Sequence, residues 1–361
     1  MAIENTLNGG YGQSKESLPD LKAEWLGLID KSVKSSAGLA SITMPAREAI
    51  IGNWFKQGDL GFIYGPRGLG KTWLGMFLAR RCAEGVNMGA SPEWNVRGPR
   101  RVLYVDGEMP VDEIQERDAT LSLNPAPWLY YLQHEAMFHL TGRVLNLTDG
   151  AAQAAVLEKC QREKIEILIL DNLSCLFPGL RENGADSWDQ VLPWLLELRR
   201  NRIAVIFIAH AGRNGTMRGT SRREDAAVWI ISLTEPKDSV EVAQGARFIA
   251  RFVKARNTPE AQCPPLEWTF LKPPGAPKVH VTWKNLSAPE LFRECIELGM
   301  CSAKDIAKRM ELTPARVSQL AKKGIKDGWL IKDGQKYALK SDQPMARWTT
   351  RSSQPEMPEI Q

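Results

Sequence analysis

Six short, unbroken aliphatic runs constrain the fold of this chain more than any other feature: "LGFIYG", "RVLYVDGE", "IEILILDN", "IAVIFIAH", "AAVWIISL" and "ARFIARFVKAR". An apolar stretch that does not alternate with polar residues suits a strand covered on both faces, as in a parallel sheet between helices. Helix-like segments such as "KTWLGMFLARRCAEG" and "GAAQAAVLEKCQREK" lie between several of the runs. The expected fold is α/β, with a mostly parallel sheet covered by helices. This domain is expected over residues 23–285, opening with a helix from about Ala23 to Ser36 that carries Trp25, Leu26, Leu28 and Ile29. The stretch "NTPEAQCPPLEWTFLKPPGAP" reads as a Pro-rich loop interrupted by one short strand.

A length of 361 residues suits one large domain and one small one. The polar, Gly/Ser-rich residues 1–22 read as a flexible arm, and the polar, Pro-containing residues 342–361 as a disordered tail. A net charge of +5 is compatible with a polyanionic partner without demanding one. The six cysteines include no C-x-x-C pair and several sit in apolar patterns, so buried reduced thiols are expected rather than disulfides or zinc ligands. No apolar run reaches the ~18 residues a membrane span requires, and the N-terminus has no basic-then-apolar signal pattern, so a cytoplasmic protein without membrane contact is expected.

The stretch "GPRGLGKT" fits the phosphate-loop pattern G-x-x-x-x-G-K-[ST], with a strand-like run before it and a helix-like run after it. Gly65, Pro66, Arg67, Gly68, Leu69, Gly70, Lys71, Thr72 and Trp73 are the expected nucleotide contacts. Glycines let the backbone curl so that successive N–H groups and a helix N-terminus face a phosphate. Lys71 is expected to reach the β- and γ-phosphates of ATP, and Thr72 to hold Mg²⁺. Asp171, at the end of "ILILD", is the expected second Mg²⁺ ligand, acting through water. The next residue, Asn172, cannot abstract a proton, so a general base must come from elsewhere. Acids just past the carboxyl edge of a parallel strand point into the ligand crevice. Glu108 in "YVDGEM" meets that condition, with Asp106 as the weaker candidate.

In order, "GPRGLGKT", "YVDGEM", "LILDN" and "VIFIAH" followed by "RGTS" resemble the motifs of RecA-like hexameric replicative helicases, closest to the plasmid RepA type and related to the DnaB group. The resemblance covers approximately residues 45–260 and implies a RecA-like core, a homo-hexameric ring and single-stranded DNA in its central channel. It assigns His210 as a γ-phosphate sensor. It also matches "FVKARN" to an element whose Lys254 and Arg256 would act on the neighbouring subunit's γ-phosphate; by residues alone, an exposed basic strand end is an equal reading. The loop "AGRNGTMRGTSRRED" looks too Gly-rich for a helix and too basic for burial, so Arg213, Arg218, Arg222 and Arg223 are expected to grip DNA phosphates. "PGLRENGADS", with Arg181, is a candidate second channel loop.

Residues 286–341 read as three helices and a hairpin, the layout of a winged helix-turn-helix. The expected apolar stripes are Leu291, Cys295 and Leu298; Ile306 and Met310; and Val317, Leu320 and Ile325. Ser302 and Thr313 are expected helix caps, and Asp333-Gly334 a tight turn. Arg316, Lys322, Lys323 and Lys326 on the third helix suit duplex DNA, with a replication protein as the other possible partner. The function implied is an ATP- and Mg²⁺-dependent helicase for plasmid, phage or mobile-element replication. An ATP-gated DNA-binding regulator, a filament-forming recombination factor and a small-molecule kinase are the competing readings.

Overall fold

Burial of the aliphatic runs on both faces builds the central sheet of this protein. The structure, a computed structural model, describes residues 18–89, 92–122, 124, 126–179, 188–212, 215, 217, 221–236, 245–259, 262–310 and 312–340. The chain divides into two compact units, Met1–Ala46 and Arg47–Gln361. Residues 23–46, expected to open the α/β domain, therefore belong to the first unit.

The first unit holds α1 (Leu18–Ser32) and α2 (Ser36–Ala40). Helix α1 begins inside the expected flexible arm, of which residues 1–17 lie outside the described residues. Trp25, Leu26, Leu28 and Ile29 are exposed. Ser35 caps α2 by accepting the Gly38 N–H at 3.0 Å.

The second unit opens with the hairpin β1 (Ala49–Ile51) and β2 (Phe55–Lys56), then β3 (Leu60–Gly65) and α3 (Lys71–Glu84). There follow β4 (Val102–Asp106), α4 (Val111–Leu121), β5 (Leu129–Gln133), α5 (His134–Thr141) and α6 (Gly150–Arg162). Next come β6 (Ile167–Asp171), α7 (Leu173–Leu176), α8 (Leu192–Arg200), β7 (Ala204–His210) and α9 (Ser221–Ala226). The sheet is completed by β8 (Trp229–Thr234), β9 (Gly245–Ala255), β10 (Leu266–Leu271) and β11 (His280–Asn285).

Nine strands pair in the order β11-β10-β9-β8-β3-β7-β6-β4-β5. The six from β8 to β5 are parallel, and β9, β10 and β11 add to them antiparallel. All six aliphatic runs are strands of this sheet. Successive residues point to opposite faces. Ile63, Ile169, Ile206, Ile208 and Ile231 enter a core that α3 and α4 complete; Phe62, Leu168, Leu170, Phe207 and Ile230 enter a second core with α6, α7 and α8. The first core also holds a tryptophan cluster that sequence reading did not foresee. Trp54 lies 4.9 Å from Trp229 and 5.3 Å from Trp94, which lies 5.3 Å from Trp268.

After the sheet come α10 (Ala288–Glu297), α11 (Ala303–Met310), α12 (Pro314–Lys326) and the hairpin β12 (Leu330–Asp333) and β13 (Lys336–Leu339). They enclose their own core of Phe292, Cys295, Ile296, Ile306, Val317, Leu320, Leu330 and Tyr337. Two stripe expectations need correction: Leu298 and Ile325 are exposed, because Phe292 and Ile296 supply the buried face of α10 and the α12 stripe ends at Ala321 and Gly324. All six cysteines are free, and Cys82, Cys160, Cys263 and Cys295 are buried. No helix among the described residues is long and apolar enough to cross a membrane.

Candidate active site

The carboxyl ends of β3, β4, β6 and β7 bring the expected nucleotide residues to one edge of the sheet, where open α/β sheets bind ligands. Register places Asp106 opposite Asp171 and Gly65 opposite His210. The Gly107 N–H donates to the Asp171 carbonyl at 2.7 Å, tying the turn that carries Glu108 to the end of β6.

Between β3 and α3 the chain runs through Gly65, Pro66, Arg67, Gly68, Leu69 and Gly70. Gly68 (φ 75°) and Gly70 (φ 103°) take the left-handed backbone that favours glycine. At Gly70 a Cβ would also come within 2.5 Å of the Ala246 Cβ. No side chain caps α3, so the N–H groups of its first turn remain available to a phosphate. Lys71 is buried, and its Nζ donates to the Pro66 carbonyl at 2.6 Å. Burial pulls the Lys71 pKa down, opposed by the charges of Asp171 and Glu108. The Trp73 side chain turns away: its ring lies under the Arg117 guanidinium at 5.3 Å and 6.1 Å from Phe270. Trp73 can therefore offer a phosphate its backbone N–H but not its ring.

Asp171 is 2% exposed. Tyr104 Oη donates to its Oδ2 at 2.7 Å, and the Thr72 hydroxyl lies beside it. Burial raises the Asp171 pKa, while the Tyr104 hydrogen bond, the Thr72 hydroxyl and Lys71 oppose the rise. A hydroxyl beside a buried carboxylate at the mouth of a phosphate loop is a hard-oxygen donor set that suits Mg²⁺, which completes its shell with water and nucleotide oxygens. Among the described residues no group of three or more His, Cys, Asp or Glu could hold a metal unaided. When bound, Mg²⁺ would neutralise charge on the β- and γ-phosphates.

Glu108 and Asp106 face different surroundings. The Glu108 side chain is 52% exposed. Asp106 is 1% exposed; its Oδ2 accepts the Met109 N–H at 3.0 Å and Gln133 Nε2 at 3.3 Å. Burial, and then the charge of Asp171, push the Asp106 pKa up to about 7. Glu108 is thus the carboxylate open to the crevice. Asn172, set aside on sequence grounds because it is no base, lies between Glu108 and His210: its Nδ2 hydrogen-bonds Glu108 Oε2 and sits 3.3 Å from His210 Nε2. A polar residue right after a strand-end acid, at the start of a short helix, was the available signal for it.

Lys254 and Arg256 lie elsewhere. Ile230 pairs with both Phe62 and Lys254, and the Arg256 N–H donates to the Val228 carbonyl at 2.9 Å. Arg256 is therefore level with the start of β3, ~16 Å along the strand from Gly65, and two strands away from it. Lys254 Nζ donates to the Glu224 carbonyl and Arg256 Nη2 to the Asp225 carbonyl at 2.9 Å, both in α9. Burial and then the charge of Arg256 lower the Lys254 pKa. Asn257 Nδ2 donates to Asp59 Oδ2 at 2.8 Å and so anchors the end of β9 to the β2–β3 turn.

The basic loop after β7 departs from expectation at Arg223. This residue is 3% exposed, with its guanidinium 5.2 Å from the centre of the buried Trp188 ring. It belongs to α9, where a flat cation packed on an indole is an alternative to solvation, so the expectation that this side chain is too basic for burial is corrected. Arg213, Arg218 and Arg181 lie outside the described residues, as does the side chain of Arg222. On α12, Arg316, Lys322, Lys323 and Lys326 are exposed; Arg316, Lys323 and Lys326 share one face with Gln319, whose Oε1 accepts from Arg316 at 2.9 Å.

No curated protein matches the chain. Among solved structures it is similar to the flagellar accessory protein FlaH of Methanocaldococcus jannaschii, at 15% identity and a TM-score of 0.41, over 63% of this chain and 90% of that one. The AAA_25 family model, described as an AAA domain, matches residues 30–216, a span that contains the phosphate loop, Glu108, Asp171 and His210. That span is more than half of the 361 residues, and the chain belongs to the AAA_25 family of P-loop ATPases.

Proposed function

We propose that this ATPase is a ring-forming motor, a homo-hexamer that moves along single-stranded DNA and unwinds duplex in the replication of a plasmid, phage or mobile element. The observation that carries the reading is the position of Lys254 and Arg256. Arg256 sits at the amino edge of the parallel strands, and Lys254, two residues before it on the same strand, is turned with it to the carbonyls of α9 and away from its own phosphate loop. Such a pair serves hydrolysis only from a neighbouring copy. A head-to-tail contact of this kind closes into a ring when its rotation divides the circle and runs on as a filament when it does not; the ring is the proposal.

Within one subunit, Lys71 and the N–H groups at the start of α3 hold the phosphates, and Thr72 and Asp171 hold Mg²⁺. Glu108 takes the proton of the attacking water, and His210 touches the γ-phosphate. The neighbour's Arg256 and Lys254 face the charge that builds on the γ-phosphate, a contribution that can exceed ~10³-fold in rate. The loop after His210 leads directly into α9, whose carbonyls hold Lys254 and Arg256. Nucleotide state and subunit contact therefore share one segment of chain, and the arginines of that loop outside α9 are the proposed DNA grip.

The C-terminal helices and hairpin support a second reading, an ATP-gated regulator that binds duplex DNA through the basic face of α12 in the manner of a winged helix. ATPase rates with and without single-stranded DNA, together with strand displacement on a forked substrate, separate the two. The motor predicts DNA-stimulated turnover and displacement. DNA binding without displacement would favour the regulator, and turnover indifferent to any nucleic acid would remove both.

A further inference from the structure

Asn172 is 1% exposed and its orientation is decided by its neighbours. Its Oδ1 accepts the Cys175 N–H at 3.1 Å as the cap of α7. An amide whose oxygen is committed in this way must aim its –NH₂ at the opposite side. There it meets Glu108 Oε2 and, at 3.3 Å, His210 Nε2. The carboxylate oxygen and the ring nitrogen lie 3.9 Å apart, on the turn after β4 and at the end of β7, strands on either side of β6.

We propose that Asn172 is a positioning residue that latches the water-activating Glu108 to the phosphate-sensing His210 through the two N–H groups of one side-chain amide. This rests on the reading of Glu108 and His210 given above. Two donors facing two acceptors require the His210 ring to present a lone pair at Nε2, so its proton sits on Nδ1. A nitrogen that accepts from Asn172 cannot also donate to a phosphate oxygen. For His210 to engage the γ-phosphate through Nε2, the ring must carry a proton there, and it then repels the Asn172 N–H. The latch opens at His210, and the amide is left to Glu108 alone. Arrival of a triphosphate is thereby converted into a new hold on the carboxylate that activates water. A carboxylate keeps lone pairs to spare while accepting one N–H, so the contact aims Glu108 without occupying it.

The test has two arms. In nucleotide-free protein labelled with ¹⁵N-histidine, with His210→Gln identifying the resonance, Nε2 of His210 is expected to be the unprotonated nitrogen. In Asn172→Ser, which keeps a capping oxygen for α7 but has no amide, the population is expected to move towards protonated Nε2. The same variant should lose ~10- to 100-fold in kcat with KM for ATP little changed, as befits misplacement of a reacting group. A protonated Nε2 in the nucleotide-free wild type overturns the proposal without any variant having to fold, and so does full kcat in a folded Asn172→Ser. Full turnover in Glu108→Gln would instead remove the functional reading, while the tautomer result would still report on the latch.

Discussion

On the proposed mechanism, replacing Glu108 by glutamine isolates the chemical step. The substitution preserves shape and leaves a side-chain oxygen that can accept from Asn172, so neither the turn after β4 nor the neighbouring network loses a partner. What it removes is the capacity to take a proton at neutral pH. Loss of a positioned general base costs ~10²- to 10⁴-fold in rate, or about 3–5 kcal/mol in activation free energy. Rescue by Asp106 is closed off by structure, since that carboxyl is 1% exposed and turned to Met109 and Gln133. The loss should therefore fall on kcat, while affinity for nucleotide, set by Lys71, Thr72 and the α3 amides, stays within about threefold. Phosphate release at saturating Mg²⁺ and ATP, with titration of a fluorescent nucleotide on the same preparation, measures both. A Glu108→Gln protein whose kcat remains within tenfold of the wild type would refute the assignment of the base.

Arg256→Ala and Lys71→Ala should each abolish turnover, yet a mixture of the two should recover activity at about a quarter of the sites in a randomly assembled ring, because an intact loop then meets an intact arginine; a mixture as inactive as its components would remove the intersubunit role. The carboxyl of Asp106, pushed up to about 7, predicts a pH effect on stability. The unfolded carboxyl titrates near ~4, so between there and about 7 the folded protein holds more protons, and raising the pH across that window destabilises it. Asp106→Asn should flatten that slope and raise the urea midpoint at pH 8 in Mg²⁺- and nucleotide-free protein; an unchanged slope would show that the carboxyl is ionised at little cost.

The parts of the fold that could be read directly from the residues were those where burial is two-sided. Strands β3, β4, β6, β7, β8 and β9 announced themselves as unbroken apolar runs. The edge strands β5 and β11 did not, because a strand with an open face carries the mixed composition of a loop, as in "LYYLQ" and "HVTWKN"; the hairpin of β1 and β2, three and two residues long, is too short to show a pattern. Arg223 misled for a related reason. A basic residue among glycines suggests solvent, whereas the fold brings Trp188, from another part of the chain, against its guanidinium.

The chemical vocabulary of the site was a property of the sequence: a glycine-built loop, a lysine and threonine at a helix start, and acids and a histidine at strand ends. These features act over a few residues, where backbone geometry and local polarity are decided. Which of them meet was settled by tertiary structure alone. Strand register puts Asp106 beside Asp171, turns Glu108 towards Asn172 and His210, and sends Lys254 and Arg256 to the far edge. Register between strands tens of residues apart follows from the simultaneous burial of both sheet faces, and no short window of sequence contains that information.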